Sequence, residues 1–416
     1  MKTGFGQTTG TPCVLALIMA GGSGTRLRPL TRWQSKPALP FGGQYRNIDF
    51  TLSNCVNSGL RRMAVLTQYK SHSLIRHVHQ ALGFLNPELD EFCELWPAQQ
   101  RMGKNWYEGT ADSVYQNIDL IDEISPEYIL VLAGDHIYKM DYRPMIEAHI
   151  GSGAGVTIAC TKVPVRQARS FGVMSVDASR RITAFAEKPA RPRGLPDEPD
   201  MALGSMGIYV FDRETLLKYL IADAGDQNSR HDFGHDILPR MIERLDVRAY
   251  PFIDWHTGKS QYWRDVGTLD AYWQANMDLL AESSGIDLHD GAWPIRTHNP
   301  QMPPSRFLAG SNVENSIVAP GCVVGGTVSR SVVFTGAVVE SGALIEDSLI
   351  LPGAHIGRDC VVRRAIVDSD FVLEDHAVVD ADSMANAGEC VSERGVTLMS
   401  RAAADQAGVT EQRSAA

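Results

Sequence analysis

The sequence predicts an α/β domain with a mostly parallel sheet, followed by a smaller all-β domain wound as a parallel β-helix. Three observations carry that expectation. Over the first two-thirds of the chain, short apolar runs alternate with amphipathic stretches, the rhythm of strands joined by crossover helices. After Asp287 the rhythm stops in a proline-rich stretch. Beyond it, similar short runs begin at Ser316, Ser331, Ser348 and Ala365, at spacings of 15, 17 and 17 residues. A short fixed period marks a structural unit repeated along an axis.

Taken in order, VLALIMA from Val14 is the first strand. Its apolar run is too short for the core of a secretion signal and suits a buried strand. RMAVLTQY, EYILVLAGD, GVTIACTKVP and MGIYVF supply further strands. DGAWPIRTHNPQMPPSRF holds four prolines and reads as an interdomain connection. These divisions give a first domain over residues 12–285, a connection over 286–305, a repeat domain over 306–400 and a small, polar tail over 401–416. Within each repeat, Val, Ile or Leu recurs about every six residues with small residues between, as three short strands and three tight turns per coil require. A β-sandwich of short strands is the competing architecture, and the regular period disfavours it.

A length of 416 residues suits two domains. No apolar run approaches the roughly 20 residues of a membrane helix, so no membrane partner is expected. The formal net charge of -10 repels polyanions, which excludes nucleic acid as a partner and means that an anionic substrate needs a local basic site. The seven cysteines form no CxxC pair and no metal-ligand spacing. Reduced thiols and a cytoplasmic protein follow.

The chemistry-bearing motifs lie in the first domain. LALIMAGGSGTRLRPL is a strand emptying into a glycine turn that carries Arg26 and Arg28. Glycines let backbone N–H groups approach an anion, and arginines add charge. The spacing is neither GxGxxG nor that of a P-loop, so a plain strand-to-helix turn stays open. Lys36 and Pro37 stand ten residues after Arg26, ahead of a second glycine pair at 42 and 43. EYILVLAGD places Asp135 at the carboxyl end of a strand, where sites in open α/β sheets lie. A lone Asp there reads equally as a turn or a helix cap. YWRDVGTLDAYW supplies a second carboxylate, Asp265, and two carboxylates with substrate phosphates form a hard-oxygen cage for Mg²⁺. FAEKPA sets Glu187 and Lys188 after a strand, where they read as a charged loop.

GTRL followed by KP resembles the nucleotidyltransferases that make nucleoside diphosphate sugars. The longer strings PAQQRMGKNWYEGTADSVYQN, AGDHIYKMDY, FGVMSVD, SMGIYVFD, HDFGHDILP, YWRDVGTLDAYW and WPIRT narrow the resemblance to the bacterial ADP-glucose pyrophosphorylase family, over roughly residues 14 to 400. The resemblance implies a Rossmann-like nucleotidyltransferase domain with a left-handed β-helix behind it. It further implies that ATP and α-glucose 1-phosphate give ADP-glucose and pyrophosphate for glycogen synthesis, with Mg²⁺ held by Asp135 and Asp265. Arg26, Lys36 and Asp135 would be the catalytic set, the two cations holding the triphosphate as pyrophosphate leaves. Gly21, Gly22, Gly24 and Thr25 would cradle the nucleotide phosphates, and Gln68, Gln100, Tyr107 and Gly109 would line the adenine side. Trp106 would join them there, with core packing as its alternative. Gly172, Glu187, Lys188 and Ser205 would receive glucose 1-phosphate.

The resemblance also implies a homotetramer and an effector response through Arg28, Arg32 and Arg46. Here the chain departs from the family: Trp33 and Gln34 stand in RPLTRWQSKP where extra basic residues are common, and MANAGECVSERG is poor in Arg. Weak activation by sugar phosphates is therefore expected. Three alternatives remain on sequence grounds: a regulatory subunit of little activity, an enzyme using another nucleotide, and an acyltransferase site in the β-helix. The last lacks clustered histidines, since His355 and His376 stand apart.

Overall fold

A computed structural model describes residues 12–99, 106–281, 285–383 and 391–400. Strand β1 (Val14–Met19) lies at the centre of a nine-stranded sheet. Val14, Ala16 and Ile18 enter one buried cluster, and Leu15 and Leu17 enter another on the opposite face. Burial on both faces explains why this strand is apolar throughout instead of alternating.

After β1 the chain makes a short hairpin, β2 (Pro40–Phe41) and β3 (Tyr45–Arg46), and enters helix α1 (Asn47–Asn57). Strands β4 (Arg62–Thr67) and β5 (Phe92–Pro97) then extend the sheet in parallel on one side of β1. The next strand, β6 (Tyr128–Ala133), joins β1 in parallel on its other side. The direction of growth therefore reverses between β1 and β6, and the carboxyl ends of these two strands open a crevice.

Beyond β6 the sheet becomes antiparallel. After the short β7 (His136–Tyr138) come β8 (Val156–Pro164), β9 (Gly172–Val176), β10 (Ile182–Glu187) and β11 (Met201–Asp212). β11 runs antiparallel to β6, β8 and β9, and β9 antiparallel to β10. β12 (Val247–Pro251) lies parallel to β8. β13 (Trp263–Asp265) pairs with β7 so that Asp265 faces His136. That pairing carries the second carboxylate to the neighbour of Asp135.

The carboxyl-terminal part is a parallel β-helix of three five-stranded sheets. Strands of one sheet begin at Arg306, Val323, Val338, His355 and Val372, one per coil. Val324, Val339 and Ile356 stack in register and are fully buried. The three serines that open repeats form a ladder at one corner. Ser316, Ser331 and Ser348 each accept from the backbone N–H one coil further on, at 3.0–3.1 Å. Each hydroxyl donates to a carbonyl two residues back.

The two parts share one core. Phe41, Phe50, Tyr272 and Trp273 are buried together with Phe334, Leu349 and Ile366 of the β-helix. The Trp273 indole donates to the Asp347 carbonyl at 2.8 Å. Although residues 286–305 contain no regular element, they are tied to α1: Trp293 donates to Asn54 at 2.9 Å, and Arg296 N–H donates to Ser53 at 2.7 Å. Among the described residues no helix is long and apolar enough to cross a membrane, and the six described cysteines are free thiols.

Candidate active site

The crevice at the ends of β1 and β6 widens into a cavity of about 570 Å³. Gly21 and Gly22 reach it from the end of β1, Gln68 from β4 and Asp135 from β6. Lys36 opens a short 3-10 turn, Lys36–Ala38, and is buried. Its carbonyl accepts from Asn47 at 3.0 Å, which fixes the backbone there. The Lys36 ammonium lies 2.6 Å from Asp135 Oδ2 and 2.7 Å from Asp265 Oδ1. Burial alone would lower the Lys36 pKa, but the two carboxylates outweigh it and raise the pKa above its ordinary value. Burial would likewise raise the Asp135 carboxyl, yet Lys36 and His136 hold it well below the usual carboxylate range.

Oxygens of Asp135 and Asp265 and a ring nitrogen of His136 lie within 4.8 Å of one another, a spacing that suits a divalent cation. Arg26 is exposed at the rim. Its guanidinium and the Asp265 carboxylate both border Gly267, at 2.9 and 3.1 Å from where a Cβ would stand.

At the other end of the cavity β9 and β10 place Gly172 opposite Glu187. A Cβ at Gly172 would come within 2.9 Å of the Glu187 carboxylate, and one at Gly234 within 2.4 Å. The two glycines thus leave Glu187 its space. Lys188 has a left-handed backbone (φ 44°), donates its N–H to the Phe171 carbonyl at 3.0 Å, and sets its ammonium 2.8 Å from Glu187. The Ser205 hydroxyl accepts from Gly207 N–H at 3.2 Å where β11 bulges.

On the third side, the Gln68 amide makes a two-way clasp with the Tyr107 backbone, accepting at 2.8 Å and donating at 3.2 Å. The Tyr107 phenol is pinned as well, donating to the Trp96 carbonyl and accepting from Asn117 at 2.8 Å. Gly109 lies against another segment: a Cβ there would stand 2.2 Å from the His231 carbonyl. That carbonyl accepts from Ala111 N–H at 2.8 Å and so caps the helix Thr110–Tyr115. Thr110 donates to Asp232 at 2.9 Å. The HDFGHD and NWYEGTAD strings are therefore tied together along this wall.

One cavity collects Gly21, Gly22, Arg26, Lys36, Gln68, Tyr107 and Gly109 with Asp135, Gly172, Glu187, Lys188, Ser205 and Asp265. Gly24 and Thr25 line a smaller cavity that adjoins it at Arg26, Lys36 and Asp135. Gln100 lies outside the described residues. Trp106 is 57% exposed, so core packing is not its role. The three arginines expected to meet an effector do not converge. Arg46 lines a separate cavity of about 270 Å³ with Arg76, His77 and His298, whereas Arg28 and Arg32 are exposed and Arg32 lies over the Trp33 ring. His136, Tyr209, Asp232 and Phe233 also line the main cavity and had no role in the sequence reading. The strings AGDHIY and HDFGHD were visible signals for three of them, but only the fold shows which side chains reach the cavity.

Residues 15–282 match the family model described as Nucleotidyl transferase, and residues 303–399 match the one described as GlmU-like, C-terminal hexapeptide. The chain is similar to a glucose-1-phosphate adenylyltransferase of Hydrogenovibrio crunogenus, 52% identical over 374 residues that make up 88% of each chain. It is 51% identical to that of Thiobacillus denitrificans over 393 residues, 92% of this chain and 89% of the relative. With that of Paramagnetospirillum magneticum the identity is 48% over 397 residues, 92% of each.

Proposed function

This chain belongs to the glucose-1-phosphate adenylyltransferase family, and we propose on that premise that it forms ADP-glucose and pyrophosphate from ATP and α-glucose 1-phosphate, for glycogen synthesis. The observation that carries the site assignment is the single cavity with Lys36, Asp135 and Asp265 at one end and Glu187 and Lys188 at the other. Two phosphorylated substrates that meet at the α-phosphorus need two cationic stations, one for the leaving pyrophosphate and one for the sugar phosphate.

In the reaction a sugar phosphate oxygen attacks the α-phosphorus in line. A new oxygen–phosphorus bond forms as the bond to the β-phosphate breaks, and pyrophosphate leaves with the electron pair. No covalent enzyme intermediate is required, so the chain's residues act by alignment and charge neutralisation. Asp135 and Asp265 would hold the metal, and their hard carboxylate oxygens in a half-buried setting fit Mg²⁺. Bound there, Mg²⁺ would neutralise phosphate oxygens as charge moves to the leaving group.

Arg26 and Lys36 hold the departing pyrophosphate, with Gly21, Gly22, Gly24 and Thr25 supplying backbone N–H groups around it. Lys188 meets the sugar phosphate and Glu187 the sugar hydroxyls, with Gly172 and Ser205 shaping that end. Tyr107 and Gly109 border the base, and Gln68 acts by clasping the Tyr107 backbone. Residues 12–285 form the catalytic domain in this reading. The β-helix would assemble a homotetramer, and Arg46, with Arg28 and Arg32 outside its cavity, would give a weak effector response in a cytoplasmic enzyme. The presence of Arg26, Lys36, Asp135, Lys188 and Asp265 on one cavity argues against a purely regulatory subunit.

The Asp135→Asn variant tests the site. It is expected to melt close to the parent and to lose roughly a hundredfold or more of kcat, the scale of losing one electrostatic group at a transition state. Near-parental turnover would refute the metal and catalytic roles given to Asp135.

A further inference from the structure

Lys36 stands between the two carboxylates assigned to the metal. Its ammonium is 2.6 Å from Asp135 and 2.7 Å from Asp265, with only 10% of the side chain exposed. We infer that Lys36 is a built-in counter-ion that occupies the metal position in the free enzyme, and that the divalent cation gains the site when an arriving nucleotide triphosphate draws Lys36 away. This deepens the assignment of Asp135 and Asp265 as metal ligands and rests on it.

The geometry is restrictive. A Mg²⁺ ion bridging the two carboxylates needs oxygens at about 2.0–2.1 Å. An ammonium within 2.7 Å of both oxygens fills the same gap. The charges agree with the geometry. Two carboxylates and one ammonium leave one negative charge, a poor lure for a dication that must also face the ammonium at close range. Lose the ammonium, and the same pocket presents two carboxylates with His136 beside them.

Lys36 also has somewhere to go. It lines both the main cavity and the smaller adjoining one, where Gly24, Thr25 and Arg26 make the other wall. The backbone at Lys36 is held by Asn47 and by the 3-10 turn, so the move belongs to its flexible side chain. A triphosphate beside Arg26 offers the ammonium a new anionic partner as it uncovers the carboxylates. Metal and nucleotide then bind cooperatively, because each favours the same position of Lys36.

Mn²⁺ accepts carboxylate and imidazole ligands and is counted directly by its electron paramagnetic resonance signal, so it serves as the probe. Without nucleotide, the Lys36→Gln variant is expected to bind Mn²⁺ tighter than the parent by roughly tenfold or more, and Lys36→Arg to bind as weakly as the parent. Adding α,β-methylene-ATP, whose link to the β-phosphate cannot be cleaved, should tighten Mn²⁺ binding to the parent, and by more than it does for Lys36→Gln. Two results would overturn the inference: parental Mn²⁺ affinity that does not depend on the nucleotide analogue, or Lys36→Gln binding no tighter than the parent. A nucleotide-independent affinity is read on the unaltered protein, so it overturns the inference even if a variant does not fold, and the comparison with Lys36→Gln separates the move of Lys36 from ligation by the analogue's own phosphates. Turnover is not read, so loss of the ADP-glucose reading would show separately, as absent product beside the expected Mn²⁺ behaviour. Unchanged Mn²⁺ binding by Lys36→Gln combined with Asp135→Asn would instead remove the metal assignment and this inference with it.

Discussion

Gly109 shows how a single position in the site depends on its neighbours. The carbonyls of His231 and Arg230 stand 2.2 and 2.5 Å from where its Cβ would be. Backbone cannot swing aside as a long side chain can, so Gly109→Ala must push apart the two strings that form this wall of the cavity, the proposed base side. Overpacking of this kind costs about 1–3 kcal/mol. A lowered melting temperature together with a several-fold higher KM for ATP is expected, measured by thermal unfolding and initial rates. An unchanged KM would remove Gly109 from the base side.

At this scale the sequence was informative about residue type and silent about distance. Asp135 is legible as a carboxylate at a strand end, and Asp265 as a second carboxylate. That they share Lys36 is not, because 130 residues separate them and only the β7–β13 pairing brings Asp265 beside His136. Gln68 illustrates the same limit. The family resemblance implies that it lines the adenine side, yet its amide is taken up by the Tyr107 backbone.

Among the elements, the β-helix was the most legible, because each coil repeats the same small set of constraints. The spacing of Ser316, Ser331, Ser348 and Ala365 reflects a hydrogen-bonded serine ladder in which a change at one rung is felt at the next. Ser348 is fully buried; it donates to the Glu346 carbonyl at 2.6 Å and accepts from Ala365 N–H at 3.1 Å. Ser348→Ala leaves the Ala365 N–H unpaired in a dry interior, a cost of about 1–3 kcal/mol, while the Glu346 carbonyl keeps the Arg364 N–H at 3.0 Å. A clear drop in melting temperature is expected, and a smaller one for Ser316→Ala at the half-buried start of the ladder. Equal effects at the two positions would contradict the ladder. The antiparallel half of the first sheet was harder to read. β9, β10 and β11 carry apolar patterns that suit either strand direction, and direction is set by crossovers that span the whole domain.

Over the whole molecule, the proline-rich segment and the β-helix are less separate than their composition suggests. Ile286 and Ile295 lie in the same buried cluster as Phe41, Phe50, Phe334 and Leu349. The helix Leu269–Asp278 begins four residues after Asp265 and seats Trp273 against the Asp347 carbonyl. Asp265, the last residue of β13, is thus followed four residues later by a helix that packs on the β-helix. Composition alone could not reveal this, since a stretch with four prolines looks like a free connection whether or not its ends are packed. The net charge of -10 was more informative, because it required the cationic stations to be local, as Lys36 and Lys188 are.

The central claim is that this cavity joins adenylate, and no other nucleotide, to glucose 1-phosphate. Its most direct test is pyrophosphate release by the full chain with Mg²⁺ and glucose 1-phosphate, comparing ATP, UTP, dTTP and GTP at equal concentration. Release with ATP at a kcat/KM at least roughly a hundredfold above the other three is the predicted result. Equal or faster release with any of the other nucleotides, or none with ATP, would contradict it.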